Sequence, residues 1–295
     1  MKFFYNLLYP IRNFLIIVLG IFPYFAYSID LSTGDFQTIV NTHSKTLTVW
    51  ALPDSKSIYV FDFPSLNVQG RTFNRVTQLT EQIQANTGYP RVMSNDDFNQ
   101  YIKSLRRTQA DFAYGHDLLV NELVRFFNLV ERDKIALFPE EIVLREFLVE
   151  RGLIKLWRGF YQAIQPGTVI LSIPQSQSKK DDEPPVTEFA RLTIFMHEIS
   201  HAEYYTNQYY ANYCRTYWNQ SLNDAQRQAF ITLFKKYNYD VTSSELVVNE
   251  MQAYLMFTPD LGSFSAKKLG ISDDELVHLR VLFRDGKPPI TIQLH

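Results

Sequence analysis

The chain has 295 residues, of which 46% are hydrophobic, so it is long and apolar enough to bury a core, and disorder as the main state is excluded. Its 29 basic and 31 acidic residues give a formal net charge of −2, without the basic excess typical of proteins that bind nucleic acid. The one cysteine excludes an internal disulfide and a multi-cysteine zinc site, so any metal must be bound by histidine and carboxylate.

The first 28 residues have the three-part order of a secretory signal peptide. Lys2 and Arg12 precede an apolar run over residues 14–22, and the small residues Ala26 and Ser28 form an A-x-S pattern after which cleavage is expected. The alternative is that the segment stays attached as an anchor, which would keep the chain close to a membrane. In either case we expect an exported protein, periplasmic or secreted.

Short strand patterns and longer helical patterns follow residue 29. Strands are predicted over residues 46–52, 57–63 and 168–173, and helices over 72–86, 94–107, 117–132, 139–149, 187–205, 221–237, 242–257 and 272–283. The first two strands form a hairpin, and a capping box, Thr242-x-x-Glu245, starts the helix at 242. The pattern predicts an α+β fold that is mainly helical with a small sheet. We divide it into a mixed α/β region, 29–150, and a second region, 151–295.

The helix over 187–205 contains the sequence His197-Glu198-Ile199-Ser200-His201. The two imidazoles are one turn apart and separated by ~40° around the helix, so both can reach one ion. Glu198 stands beside them, where it can contact a water on that ion and act as a general base. Apolar residues with helical spacing lie on the opposite face: Leu192, Phe195, Met196, Ile199 and Ala202. The alternative is that both histidines are merely solvated on a polar face.

A candidate third ligand, Glu250, lies in the helix over 242–257. Its neighbours one and two turns away are mostly apolar, namely Leu246, Val247, Ala253, Tyr254 and Phe257. A carboxylate within an apolar stripe is costly unless a cation meets it, and a metal ion would remove that cost. The alternatives are that Glu250 pairs with an arginine or faces solvent, with His278 as a less favoured third ligand.

These two motifs, His197-Glu198-x-x-His201 and Asn249-Glu250-x-x-Ala253, resemble those of the gluzincin zinc metallopeptidases. The resemblance implies a zincin-like catalytic region with Zn²⁺ bound by His197, His201 and Glu250. It also implies that the strand over 168–173, just before the motif helix, is an edge strand that binds the substrate backbone. The 48 residues between His201 and Glu250 exceed the separation in thermolysin-like members, so no branch is assigned.

In the mechanism that this resemblance implies, zinc polarises the scissile carbonyl and lowers the pKa of its bound water to about 7. Glu198 takes the proton and transfers it to the leaving amine. An oxyanion donor is also expected, and the candidates are Tyr254, Tyr204 and Tyr205. Groups that orient the imidazoles are expected as well, with Glu245 and Asp240 as candidates.

The sequence therefore predicts an exported zinc-dependent metallopeptidase that acts on a peptide or protein substrate. One alternative is a non-catalytic envelope protein that binds a partner on a zincin-like scaffold. A second is a zinc hydrolase that cleaves a non-peptide amide.

Overall fold

The structure is a computed structural model that describes residues 29–53, 55, 57–82 and 90–293. The predicted signal peptide or anchor, residues 1–28, lies outside the described residues. Within the described part of the chain, no helix combines the length and the apolar character needed to cross a bilayer.

Among the described residues, seven strands form two separate sheets. The strands are Asp30–Thr33 (β1), Thr48–Ala51 (β2), Ile58–Phe63 (β3), His116–Leu119 (β4), Ile154–Trp157 (β5), Phe160–Ala163 (β6) and Val169–Pro174 (β7). The larger sheet has the order β1-β2-β3-β7-β4, and β5 and β6 pair as a hairpin. Strands β2 and β3 pair antiparallel, with Thr48 opposite Asp62, so the predicted first hairpin is confirmed.

Eleven α-helices lie in the described part of the chain. They are Phe36–Asn41 (α1), Leu66–Glu81 (α2), Asn95–Ser104 (α3), Val120–Asp133 (α4), Pro139–Glu150 (α5), Glu188–Thr206 (α6), Gln208–Thr216 (α7), Asp224–Lys236 (α8), Ser244–Phe257 (α9), Ala266–Leu269 (α10) and Asp273–Gly286 (α11). A π-helical turn, Tyr217–Ser221, follows α7. The predicted α+β class, mainly helical with a small sheet, is confirmed.

The large sheet is covered on both faces. Residues of α2, α4 and α5, including Phe73 and Phe147, pack with Phe61 on one face. On the other face, Phe195 and Ile199 of α6 pack with residues of β3 and β7. Helices α7 to α11 share a second apolar core. Helix α6 thus lies between the sheet and this helical core.

The prediction that residues 168–173 form an edge strand is wrong. Strand β7 lies inside the sheet, parallel to β3 on one side and antiparallel to β4 on the other. Its continuous run of buried residues is typical of a strand covered on both faces. The edge strand beside α6 is β4 instead. It overlaps the start of the segment 117–132, which the sequence predicts as one helix. The backbone N–H of Leu119 donates to the Glu122 carboxylate, and α4 begins only at Val120.

Two helix boundaries also differ from prediction. Helix α2 begins after Ser65, whose hydroxyl caps it, and not at residue 72. The cap of α9 is Ser243 rather than Thr242, whose hydroxyl donates to Asp240. The sheet takes strands from both predicted regions, 29–150 and 151–295, so these regions share one sheet.

Candidate metal centre

The three predicted ligands come together between α6 and α9. Nε2 of His197 lies 3.7 Å from Oε2 of Glu250, and Nε2 of His201 lies 3.8 Å from Oε1 of Glu250. One donor atom from each residue lies within 4.8 Å of the other two. The two motifs, 48 residues apart in sequence, therefore meet at one point.

Helix α6 is held against the sheet by its N-terminal half. Thr187 caps the helix, and the buried guanidinium of Arg191 pairs with Asp62 of β3 through contacts of 2.7 and 2.9 Å. Phe195 and Ile199 pack on the sheet. The predicted packing face of this helix is confirmed.

Helix α9 is held against α6 by packing and by a buried amide. Val248 and Met251 lie in the helical core. The Gln252 amide donates to Ser200 Oγ of α6 at 3.1 Å and accepts from the Tyr210 hydroxyl of α7 at 2.7 Å. This cross-link sets the register of the two helices and turns Glu250 towards the imidazoles.

Thr258 determines which nitrogen of His197 is free. The Thr258 hydroxyl donates to the carbonyl oxygen of Ala253 at 3.0 Å, so it can only accept from Nδ1–H of His197, which lies 2.9 Å away. Nε2 of His197 then carries the lone pair, and it faces Glu250. Burial lowers the pKa of His197 to about 4, which keeps the ring neutral as a metal ligand requires.

Asp117 of β4 faces the second imidazole. Its Oδ2 lies 3.9 Å from Nδ1 of His201, which is buried and makes no hydrogen bond. The Tyr205 hydroxyl bonds to the same carboxylate. A carboxylate on this side favours the tautomer of His201 whose Nε2 is free to bind a metal.

The donor set fits a divalent cation such as zinc. Oε2 of Glu250 is buried and has no hydrogen-bond partner, although it lies 3.7 Å from Nε2 of His197. Burial raises the pKa of Glu250, while the charge of His201 and a hydrogen bond from Tyr239 act in the opposite direction. A buried carboxylate with an unused oxygen beside two imidazole nitrogens is a favourable environment for zinc.

Glu198 lies beside this group and is in contact with Gly115, the residue before β4. A Cβ atom at Gly115 would stand 2.1 Å from Oε1 of Glu198, so the carboxylate occupies space that a side chain would fill. Burial raises the pKa of Glu198 well above its usual value, and the charges of Asp117 and Glu250 add to the rise. Asp117, Glu198 and His201 also form a second possible metal-binding group.

Hydrogen bonds on both sides of Gly115 hold this segment in place. Gln69 donates to the Tyr114 carbonyl at 2.9 Å. Buried His116 contacts Ser172 Oγ through Nδ1 at 2.6 Å and Asn74 Oδ1 through Nε2 at 3.0 Å. Burial lowers the pKa of His116 to about 3, so it is a neutral structural residue.

The predicted tyrosines differ in position. The Tyr254 ring lies 4.8 Å from that of His197, edge to face, and its hydroxyl bonds with that of Tyr239. Tyr204 instead donates to Glu245 at 2.9 Å, so it is engaged away from the imidazoles. The described structure therefore leaves Tyr254 as the predicted oxyanion donor nearest the ligands and adds Tyr239 beside it.

The other predicted supporting residues lie elsewhere. Glu245 pairs with Arg215 at 2.8 Å, and Asp240 accepts from the backbone and hydroxyl of Thr242, so neither orients an imidazole. His278 is exposed on α11. Thr258 and Asp117 face the imidazoles instead.

A cavity of about 320 Å³ adjoins the site on the side of Asp117. Acidic residues line it, including Glu81, Asp117, Glu122 and Glu245. Burial raises the pKa of Glu81 well above its usual value, and neighbouring carboxylates raise it further. The space beside the candidate ligands is therefore both accessible and acidic.

No protein-family model, no curated protein and no solved structure matches this chain.

Proposed function

We propose that this protein is a zinc-dependent metallopeptidase of the gluzincin type, with His197, His201 and Glu250 as ligands. The observation that supports it most directly is the convergence of the three donor atoms within 4.8 Å. Two further observations support the proposal. Thr258 leaves Nε2 of His197 free, and an oxygen of Glu250 is buried without a hydrogen-bond partner. A zinc ion at this point supplies Lewis-acid chemistry, which makes carbonyl carbon more electrophilic and water more acidic.

Glu198 is the proposed general base. Burial and the nearby carboxylates raise its pKa, and a bound cation would lower it towards the range in which the group can accept a proton from water and give it to the leaving amine nitrogen. The contact with Gly115 fixes where the carboxylate stands relative to β4. Of the three buried acids around the imidazoles, Glu250 is the proposed ligand, Glu198 the proposed base and Asp117 the partner of His201.

Strand β4 is the proposed binding edge for the substrate backbone. Val120 donates to the Thr168 carbonyl of the neighbouring chain segment at 2.9 Å. In an antiparallel pair of strands, every second residue directs its backbone N–H and C=O groups to the partner strand. His116 and Leu118 therefore bond to β7, like Val120. The backbone N–H and C=O groups of Asp117 point away from β7. An extended peptide that pairs with this edge passes directly beside the candidate metal centre.

Tyr254 is the proposed donor to the oxyanion that forms from the scissile carbonyl. It is adjacent to His197, and burial is the main cause of its raised pKa, so its hydroxyl stays protonated and able to donate.

The test is Glu198→Gln, measured by hydrolysis of a peptide library and by zinc content. We expect hydrolysis to fall by about 10² to 10⁴-fold because the base is lost, with zinc still bound. Glu188→Gln is the matched control, because this residue is exposed on the same helix. Full activity of Glu198→Gln would refute the role of this residue.

The same assay separates the alternatives. A protein that binds zinc but hydrolyses no peptide would support a non-catalytic binding protein on this scaffold. Hydrolysis of non-peptide amides alone would support the second alternative. Export through residues 1–28 remains part of the proposal, and N-terminal sequencing of the mature protein tests it.

A further inference from the structure

The β5–β6 hairpin exposes large apolar side chains at its tip. Leu156 is 58% exposed, Trp157 54% and Phe160 58%. Arg158 and Gly159 form the turn, with φ values of +50° and +83°, as in the tight two-residue turns of hairpins. These three apolar residues therefore stand together at the end of a compact projection.

The base of the hairpin is firmly attached. Tyr161 is buried, with its ring 5.9 Å from that of Phe127 on α4. The Asn128 side chain bonds to both the N–H and the C=O of Tyr161, at 2.7 and 3.0 Å. The tip is thus presented by a fixed support.

The exposed apolar residues lie on both faces of the hairpin. Trp157 pairs with Phe160, and Leu156 pairs with Tyr161. Residues directly opposite share a face and successive residues alternate, so Leu156 lies on the other face from Trp157 and Phe160. A flat protein surface or a second copy would cover one face, whereas a bilayer surrounds an inserted tip on all sides.

The charged residues of the hairpin itself, Lys155 and Arg158, are both basic. Residues 151–180 contain no Asp or Glu, although the whole chain has an excess of acids. Lys155 Nζ lies 5.9 Å and Arg158 Cζ 5.6 Å from the Trp157 ring centre. Cations beside Trp and Phe match a bilayer interface, where aromatic rings sit at the headgroup level and cations meet anionic lipids.

We propose that the β5–β6 hairpin inserts its tip into the interface of a bilayer that contains anionic lipids. Leu156, Trp157 and Phe160 enter the boundary between headgroups and acyl chains, while Lys155 and Arg158 contact lipid phosphates. This membrane contact does not depend on the proposed peptidase activity, and the test below requires none.

Trp157 reports on the contact directly. The chain has three tryptophans, and the other two, Trp50 and Trp218, are only 7% and 9% exposed. The experiment mixes the full chain with phosphatidylglycerol vesicles that carry brominated phosphatidylcholine, which quenches fluorescence inside the bilayer. We expect a blue shift and quenching of the emission, and we expect both to disappear in Trp157→Phe.

Charge reversal tests the basic contribution. We expect Lys155→Glu/Arg158→Glu to lower the vesicle affinity, read from a quenching titration, at least about 25-fold, since each of the two cations contributes about fivefold near an anionic surface. Lys235→Glu/Lys236→Glu on α8 is the matched control, because it makes the same charge change at exposed positions. Because quenching is read at Trp157, vesicle binding through the N-terminal apolar run alone does not mimic the result.

Two outcomes would overturn the proposal. In one, iodide in the aqueous phase quenches Trp157 equally with and without vesicles, so the tip stays in water. In the other, Trp157 becomes shielded without vesicles as protein concentration rises, so a second copy covers it.

Discussion

Two buried polar clusters lie along helix α6 and differ in how their charges are balanced. Near its start, Arg191 makes contacts of 2.7 and 2.9 Å with Asp62, and it also donates to the Pro174 and Ile39 carbonyls. Two and three turns further on, the contacts of His197 and His201 with Glu250 are 3.7 and 3.8 Å, too long for hydrogen bonds.

This difference separates a structural cluster from the one that we propose binds a metal. Burying charge is costly in both places, and direct hydrogen bonds between the opposite charges offset the cost in the Arg191–Asp62 pair. The imidazole–carboxylate group leaves an oxygen of Glu250 and a nitrogen of His201 unpaired. Buried polar atoms that lack hydrogen-bond partners form an incomplete cluster, which a bound ligand can satisfy. A cluster whose atoms are all hydrogen-bonded within the protein is complete and contributes to stability.

Breaking the complete cluster should have the largest effect on stability. Burial raises the pKa of Asp62, and Arg191 opposes that rise, so Arg191→Leu would leave a buried carboxylate unpaired. We expect the free energy of unfolding in urea to fall by about 3–5 kcal/mol. Arg284→Leu, which removes an exposed pair with Asp285, should cost no more than about 1 kcal/mol. Equal losses in the two variants would contradict the comparison.

Gly115→Ala should impair the candidate site without removing its metal. The added methyl group would displace the Glu198 carboxylate, and the hydrogen bonds around Tyr114 and His116 oppose a shift of the backbone. We expect kcat/KM for peptide hydrolysis to fall by about 10²-fold, with zinc content unchanged. Gly167→Ala is the control, because a Cβ there meets nothing within 4 Å. Unchanged hydrolysis in Gly115→Ala would show that this glycine does not position the base.

Thr258→Val should weaken zinc binding at the incomplete cluster without abolishing it. The variant keeps the shape of the side chain but removes the acceptor that fixes Nδ1–H of His197. We expect the Kd for zinc, measured by competition with a chelator, to rise by about 10 to 100-fold. Thr258→Ser retains the hydroxyl and should bind zinc nearly as tightly as the wild type. Weak binding by the serine variant would indicate a packing role instead.

His116, Ser172 and Asn74 form a second complete cluster, in which both ring nitrogens of the histidine are hydrogen-bonded. We expect this cluster to make the stability of the protein depend on pH. The pKa of His116 is about 3 in the folded protein and about 6.5 when unfolded, so between these values the unfolded chain binds more protons. Stability from His116 is therefore present above pH 6.5 and is lost as the pH falls.

Between pH 7.5 and 5.5, wild type should lose about 1.4 kcal/mol more unfolding free energy than His116→Asn. His278→Gln provides a control at an exposed site. Identical pH dependences for wild type and His116→Asn would show that this histidine is not held neutral.

The sequence predicts the three residues that come together between α6 and α9, because each motif lies within one helix. Residues His197, Glu198 and His201 follow helical spacing, and Glu250 stands out as a carboxylate among apolar neighbours. Local periodicity suffices for such positions, and the packing of α6 on α9 then joins them.

The surrounding residues were not predictable in the same way. Asp117 follows a pattern that resembles a helix start, and only the pairing of β4 with β7 turns it towards His201. Gly115 and Thr258 act through contacts between segments distant in sequence. Strand order is also a non-local property, so a central strand was predicted as an edge.

Zinc stoichiometry after equilibrium dialysis tests the central claim most directly. We predict one zinc per chain in the wild type and in Glu245→Gln. Glu245 lies on the same helix as Glu250, but its carboxylate pairs with Arg215 of α7. Glu250→Gln should lose most of that zinc. Zinc retained by Glu250→Gln but lost from Asp117→Asn would contradict the account, because it would place the ion in the Asp117, Glu198 and His201 group.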